Sequence, residues 1–366
     1  MKVKDFIRKY IPLPALVLIA IAVFCALIHL ISIVSVGFAD FFNFRVASIF
    51  RLILAKITGI LPISLAELMI ITLPLTIGLI LFFAVRAIKA SRKNGMRFLS
   101  MLFSVLTLFY SSFVLTFAVA YRGTPLDREL SLERKAVSAT ELYRTAEIIV
   151  GELNALSKTT EYSDDGFSVM PYSFSELNHK LNTAYKNGAP KYPFIQDMKS
   201  KVKPIMLSEP MTYTHISGVY TFFTGEANVN VNYPKYNHPF TTAHEMAHQR
   251  GVAREDEANF VAFLICLESD DPYIRYSAYL NMFEYFYSAL GKADKELRKT
   301  IFSTLESAVV KELIAYSDFF DKYRDNIAAD VSGAVNNSYL VMQGQTSGTK
   351  SYGLVVDLAV AYYSKA

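Results

Sequence analysis

The chain has 366 residues, 52% hydrophobic and only 19% charged, below the ~25% charged content of soluble domains, which excludes a wholly water-soluble enzyme. Its net charge of +4 averages two unlike pieces, because residues 1–121 hold 12 Lys/Arg against three acids and residues 122–366 hold 25 against 30. The basic residues flank apolar runs instead of forming a patch, which excludes nucleic acid as a partner, and Cys25 and Cys266 lie too far apart in sequence to suggest a disulfide framework.

Three apolar runs, at about 13–38, 66–87 and 98–120, are each long enough to cross a hydrocarbon core of ~30 Å. The first is about twice the length of a signal-peptide core (~7–15 residues), so it reads as an anchor and not a cleaved leader. Pro74, inside the second run, is tolerable in a membrane helix. The segment from Arg86 to Arg97 carries five positive charges and no acid, and the N-terminal tail carries Lys2, Lys4, Arg8 and Lys9. Positive charge near span ends favours the cytoplasm. The expected topology is therefore a cytoplasmic N-terminus, three crossings of the lipid bilayer in residues 1–121, and an extracytoplasmic domain over 122–366. Residues 39–64 form an outer loop amphipathic enough to lie on the bilayer surface.

The second piece begins at Arg122-Gly-Thr-Pro125, where the apolar run stops, and its 245 residues suffice for one buried core. Its pattern predicts a mainly α, α+β domain. Helices are expected at 139–156, with Ser138 as cap, and at 173–187. Gly218–Phe223 and Glu226–Asn232, separated by Thr224-Gly225, predict a small β-hairpin. Helices resume at about 239–250, 254–269, 272–290, 303–326 and 353–364. Pro239 and Pro272 suit first turns, and Gly251 and Gly291 suit helix stops.

His244-Glu-Met-Ala-His248 carries the chemistry. Positions i and i+4 share a helix face, so both imidazoles can reach one metal ion. Glu245 sits about 100° further round, where it can take a proton from a metal-activated water as general base. Gly251 can end the helix in a left-handed conformation and reverse the chain. Glu255, Asp256 and Glu257 follow at once, offering a third ligand and leaving the fourth position open. Helix N-termini favour acids in general, but that preference does not place a cluster so soon after two histidines. Elsewhere, His215 and His238 read as surface or capping residues, and His29 as facing a neighbouring membrane helix. Tyr279, Tyr316, Tyr339 and Tyr352 are equivalent candidates for stabilising an oxyanion.

His-Glu-x-x-His followed by Glu-x-x-Ala-Asn resembles the gluzincin metallopeptidases. Three apolar spans together with residues 244–267 resemble, more closely, the bacterial membrane proteins with domain of unknown function 3810. The second resemblance implies no substrate. The first implies a zincin-like domain with Zn2+ as cofactor, His244 and His248 as ligands, Glu245 as general base and a downstream Glu as third ligand. Only six residues separate His248 from Glu255; thermolysin-like gluzincins use a much longer insert, and metzincins use a short Gly turn but a third His. Within the acidic cluster, Glu255 heads the Glu-x-x-Ala-Asn pattern, and its i+4 neighbour Asn259 could hydrogen-bond a ligating His. Glu257, about 200° away, is expected to face solvent. The resemblance also implies an edge strand beside the metal helix, either 218–223 or 226–231, to which a peptide or protein substrate adds. The expected function is a membrane-anchored zinc metallohydrolase, most simply a peptidase. The alternative is a catalytically silent, zinc-stabilised scaffold or receptor domain. An intramembrane protease is disfavoured, because the motif lies over 120 residues beyond the last span in a charged segment.

Overall fold

The computed structural model describes residues 3–365. Contacts divide the chain into two units, residues 1–123 with 221–225, and residues 124–220 with 226–366.

The first unit contains α1 (Val3–Tyr10), α2 (Leu13–Val34), α3 (Val36–Phe41), α4 (Ser48–Thr58), α5 (Leu65–Ile71), α6 (Leu73–Ala90) and α7 (Arg92–Thr116). Among these, α2, α6 and α7 are long and apolar enough to cross a membrane, with mean hydropathy 3.0, 1.8 and 2.0. Their limits differ from the sequence expectation for local reasons. The first ends early, because Ser35 leaves the helix in an extended conformation and caps α3 by accepting from the Phe38 amide. The second splits at Thr72, and Pro74 falls in the first turn of α6, where its missing N–H costs nothing. The expected loop from Arg86 to Arg97 is a tight turn at Ser91, which caps α7 through the Asn94 amide. The basic residues therefore sit on two helix ends. The expected surface loop is largely helical: α3 and α4 are joined by a π-helical segment at Phe42–Ala47. There Arg51 is fully buried and donates to the Asn43 Oδ1 and O atoms and to the Thr116 carbonyl at 2.8–3.0 Å. His29 meets the Tyr110 hydroxyl of α7 at 3.4 Å. Residues 221–225 join this unit, with Phe222 edge-on to Phe113 and Phe223 edge-on to Phe109.

The second unit contains α8 (Leu126–Glu129), α9 (Ala139–Ser157), α10 (Phe174–Gly188), β1 (Lys203–Pro204), α11 (Ser208–Thr212), β2 (Gly218–Thr221), β3 (Glu226–Val229), α12 (Asn237–Gln249), α13 (Glu255–Leu267), α14 (Pro272–Ala293), α15 (Lys295–Ser303), α16 (Ser307–Asp321), α17 (Ile327–Met342) and α18 (Val355–Lys365). The class is mainly helical with one small sheet. Capping boxes at Ser138/Glu141 and Ser173/Glu176 start α9 and α10. The sheet has order β1-β3-β2, with β1 parallel to β3 through Lys203↔Asn228. The short strand β1 carries no alternation and was invisible to the sequence pattern. Lys203 and Glu226 form an ion pair, each side chain 1% exposed, that ties β1 to β3. The core centres on α12, α13 and α14; Phe260, Phe263, Phe283 and Phe286 are fully buried.

Two helix stops differ from expectation. Gly291 lies inside α14, which runs on to Asp294, and that residue caps α15 through the Glu296 and Leu297 amides. The expected helix 303–326 is shorter, running as α16 from Ser307 to Asp321, with Ser303 closing α15 before it. Helix α17 is unanticipated because its Val, Ser, Gly and Asn content is poor in helix formers.

Candidate metal centre

Helix α12 ends in a Schellman motif. Gly251 takes φ +92°, its amide donates to the His248 carbonyl at 2.9 Å, and the Val252 amide donates to the Ala247 carbonyl at 3.1 Å. This turn does two things for the site. It brings the N-terminus of α13 back beside the histidines. It also aims the Val252 carbonyl at His248, whose Nδ1 donates to it at 2.7 Å. A carbonyl only accepts, so this bond fixes the proton on Nδ1 and leaves the Nε2 lone pair for a metal.

Glu255 Oε2 lies 3.3 Å from His244 Nε2 and 3.2 Å from His248 Nε2, with the two rings perpendicular and their centroids 4.5 Å apart. Four ligands about 2.0–2.1 Å from a tetrahedral zinc stand about 3.3–3.4 Å from one another, so both separations suit the edges of such a site. His244, His248 and Glu255 are therefore a set that could hold a metal ion. All three are buried. Burial alone would raise Glu255, but the charge of His248 and hydrogen bonds from both imidazoles bring it down to about 2. Burial likewise opposes protonation of His248, and Glu255 reverses this, raising it to about 9. His244, held mainly by burial and by repulsion from His248, stays below the ordinary histidine value.

Glu245 is 4% exposed and accepts a hydrogen bond from the Tyr220 backbone of β2. Its other oxygen, Oε2, is buried without a hydrogen-bond partner. Burial, with Glu255 nearby, pushes its carboxyl up to about 8. Strand β2 approaches so closely that a Cβ on Gly218 would stand 2.5 Å from Glu245 Oε1 and 2.8 Å from Thr241 Cγ2. Glycine is required here for space. Because β3 is the central strand, the edge strand beside Glu245 of α12 is β2 and not 226–231.

The remaining acids have separate tasks. Asp256 pairs with Arg134 at 2.8 Å. Glu257, expected in solvent, is 8% exposed; it pairs with Arg254 and accepts from the Leu126 amide, both at 2.8–2.9 Å. The first residue of α8 folds back over this face of α13, which helical spacing alone does not reveal. Asn259 stands beside His244, but its amide nitrogen donates to the Tyr352 carbonyl at 3.3 Å, and His244 Nδ1 makes no hydrogen bond of good geometry. Behind the motif, Arg250 is buried against the Tyr185 ring at 3.8 Å. It donates to the Met198 carbonyl and to Ser200 Oγ at 2.6–2.7 Å.

A cleft of about 540 Å³ opens onto His244 and Glu245. Of the tyrosines considered from sequence, Tyr316 and Tyr352 line it, joined by Tyr233 and Tyr285, whereas Tyr279 and Tyr339 do not. His215 also lines it, in a left-handed conformation (φ +58°) with Nε2 donating to the Tyr323 carbonyl at 2.6 Å. His238 points elsewhere, donating to the Tyr233 carbonyl at 2.9 Å. Asn281, Glu284, Tyr285 and Ser288 form one stripe of α14 along the cleft. Their i, i+3, i+4, i+7 spacing on an otherwise buried helix was a readable signal that sequence reasoning passed over.

Comparisons with curated proteins and with solved structures find no match. Residues 42–360 match the family model described as protein of unknown function (DUF3810). That match spans most of the chain, including α6, α7, the His244–His248–Glu255 triad and the cleft, and the chain belongs to this family.

Proposed function

We propose that the chain is a membrane-anchored zinc metallohydrolase that cleaves peptide bonds outside the cytoplasm. The observation that carries the reading is the convergence of His244, His248 and Glu255 at tetrahedral spacing, beside a carboxylate with an unpartnered oxygen and an open cleft. Two imidazoles and one carboxylate form a donor set suited to catalytic zinc, and the gluzincin resemblance of the motif agrees with it. A zinc ion bound there would supply Lewis acidity toward a carbonyl oxygen and make a neighbouring water more acidic.

The chain's own residues supply the rest. Glu245 Oε2, free of other partners, takes the proton of the attacking water and delivers it to the departing amine nitrogen. The Tyr220 amide holds the opposite oxygen, so the carboxylate keeps one orientation. The edge strand β2 offers backbone hydrogen bonds to an extended substrate next to Glu245. The extracytoplasmic assignment is supported by the basic ends of α6 and α7 and by the basic N-terminal tail.

The test is metal analysis and peptide hydrolysis by the full chain in detergent. One zinc per chain is expected, with Glu245→Gln keeping the metal and losing roughly 10²–10⁴-fold in rate. Absence of stoichiometric metal overturns the reading. Bound metal without hydrolysis of any peptide would replace it with the scaffold function.

A further inference from the structure

The end of the cleft remote from His244 has a distinct chemistry. Glu284 lines it, half-buried, with the Tyr236 hydroxyl donating to Oε1 at 3.4 Å. Burial, with Glu312 nearby, raises its carboxyl to about 8, so a cation bound beside it is what would hold it ionised. On its other side it borders a separate cavity with Lys292 and Arg298. Asn237 faces the same space and is 6% exposed. Its Nδ2 donates to Asn281 Oδ1 at 3.4 Å, and its own Oδ1 is buried without a donor. Aromatic rings of Tyr233 and Tyr316 form the wall, and among the described residues no Lys or Arg lines the cleft. A carboxylate, an unused amide oxygen and phenol faces together make a site for a primary ammonium group. An anionic group would meet no donor charge there and would face Glu284 and Glu245.

We infer that the cleft selects substrates carrying a primary ammonium group, with Glu284 as its counter-charge and Asn237 Oδ1 as a second acceptor. Seven residues of α12 separate Asn237 from His244, about 10 Å along the axis, so the ammonium lies about three residues of extended peptide from the scissile bond. Either a lysine-type side chain or a free N-terminus could present this group at that distance. The inference rests on the peptidase reading for its substrate class, but the ammonium site itself can be tested by binding alone.

The experiment uses full-length Glu245→Gln in detergent, zinc-loaded, and C-terminally labelled pools of random nonapeptides, with fluorescence anisotropy as the readout. One pool has free amines, one has acetylated lysines, one has an acetylated N-terminus, and one has both. The pool retaining the recognised amine should bind about tenfold tighter than the doubly acetylated pool, and the two singly acetylated pools say which amine it is. Adding Glu284→Gln should abolish the difference, and adding Glu284→Lys should shift preference toward acidic peptides. If Glu284→Lys fails to fold, judged by zinc content and thermal midpoint, the near-isosteric Glu284→Gln decides alone. Equal binding of all pools, no binding at all, or a preference unchanged by Glu284→Gln would overturn the inference. Hydrolysis by the wild-type chain without charge preference would remove the ammonium site and leave the peptidase reading. Charge-selective binding without hydrolysis would do the reverse.

Discussion

At the scale of single residues, the three consecutive acids of α13 separate cleanly by partner. Glu255→Gln removes the only carboxylate among the triad's donors and should lower zinc affinity by orders of magnitude in a chelator competition. Glu257→Gln should leave zinc binding nearly intact and instead lower stability by about 1–3 kcal/mol, because Arg254 loses its charged partner and the amide brings an NH2 donor into a buried place that held a carboxylate oxygen. A thermal melt of the full chain distinguishes the two. Gly218→Ala tests the close approach of β2. A methyl group there must displace Glu245 or Thr241, so peptide hydrolysis should fall at least tenfold while zinc content stays near one. His238 gives a pH signature away from the metal. Burial, then the charge of Lys235, lowers it to about 4 from an ordinary value of 6.5. The folded state therefore binds fewer protons than the unfolded state between those values. Stability is fully present above pH 6.5 and falls as pH drops through the window, by up to about 3 kcal/mol. The thermal midpoint should fall more steeply with acid in wild type than in His238→Gln.

At the scale of elements, the α12–turn–α13 unit is one device. Gly251 permits the reversal, the reversal delivers Glu255, and the same turn supplies the Val252 carbonyl that sets the His248 tautomer. Gly251→Ala forces a Cβ into a left-handed backbone at a cost of about 1–2 kcal/mol. Weaker zinc binding should accompany the loss of stability, because both the third ligand and the tautomer depend on that turn. Retention of full affinity in this variant would separate the turn from the metal site. Arg250 anchors the opposite side of α12 to the 198–200 segment, so its role is packing and not chemistry.

At the scale of the whole molecule, the basic helix ends predict orientation. Ser200 is buried against Arg250, so a labelling cysteine belongs at exposed Lys199, with its cytoplasmic counterpart at exposed Asn94. The native Cys25 and Cys266 are both buried and contribute little background. In intact cells, an impermeant thiol reagent should label Lys199→Cys and spare Asn94→Cys. The opposite pattern would reverse the assignment and place the cleft in the cytoplasm.

The sequence by itself determined what depends on local spacing and composition. Three long apolar runs specify helices long and apolar enough to cross a membrane, because only a helix satisfies the backbone of one segment in hydrocarbon. The i, i+4 histidines share a face by helix geometry, and Gly251 marks a reversal because only glycine enters that backbone region freely. Tertiary structure decided everything that needs a neighbour distant in the chain. Leu126 covers Glu257, 131 residues away, and turned an expected surface acid into a buried one. Asn259, beside His244 as helical spacing suggested, also gained the Tyr352 carbonyl as acceptor, and His248 took the Val252 carbonyl as its outer partner. Placement of β1 next to β3 decided which hairpin strand is the edge, and the cleft wall combines β2 with tyrosines from α14, α16 and the 348–354 turn. Periodicity reports which residues of one element share a face; it carries no information about which other element that face will meet.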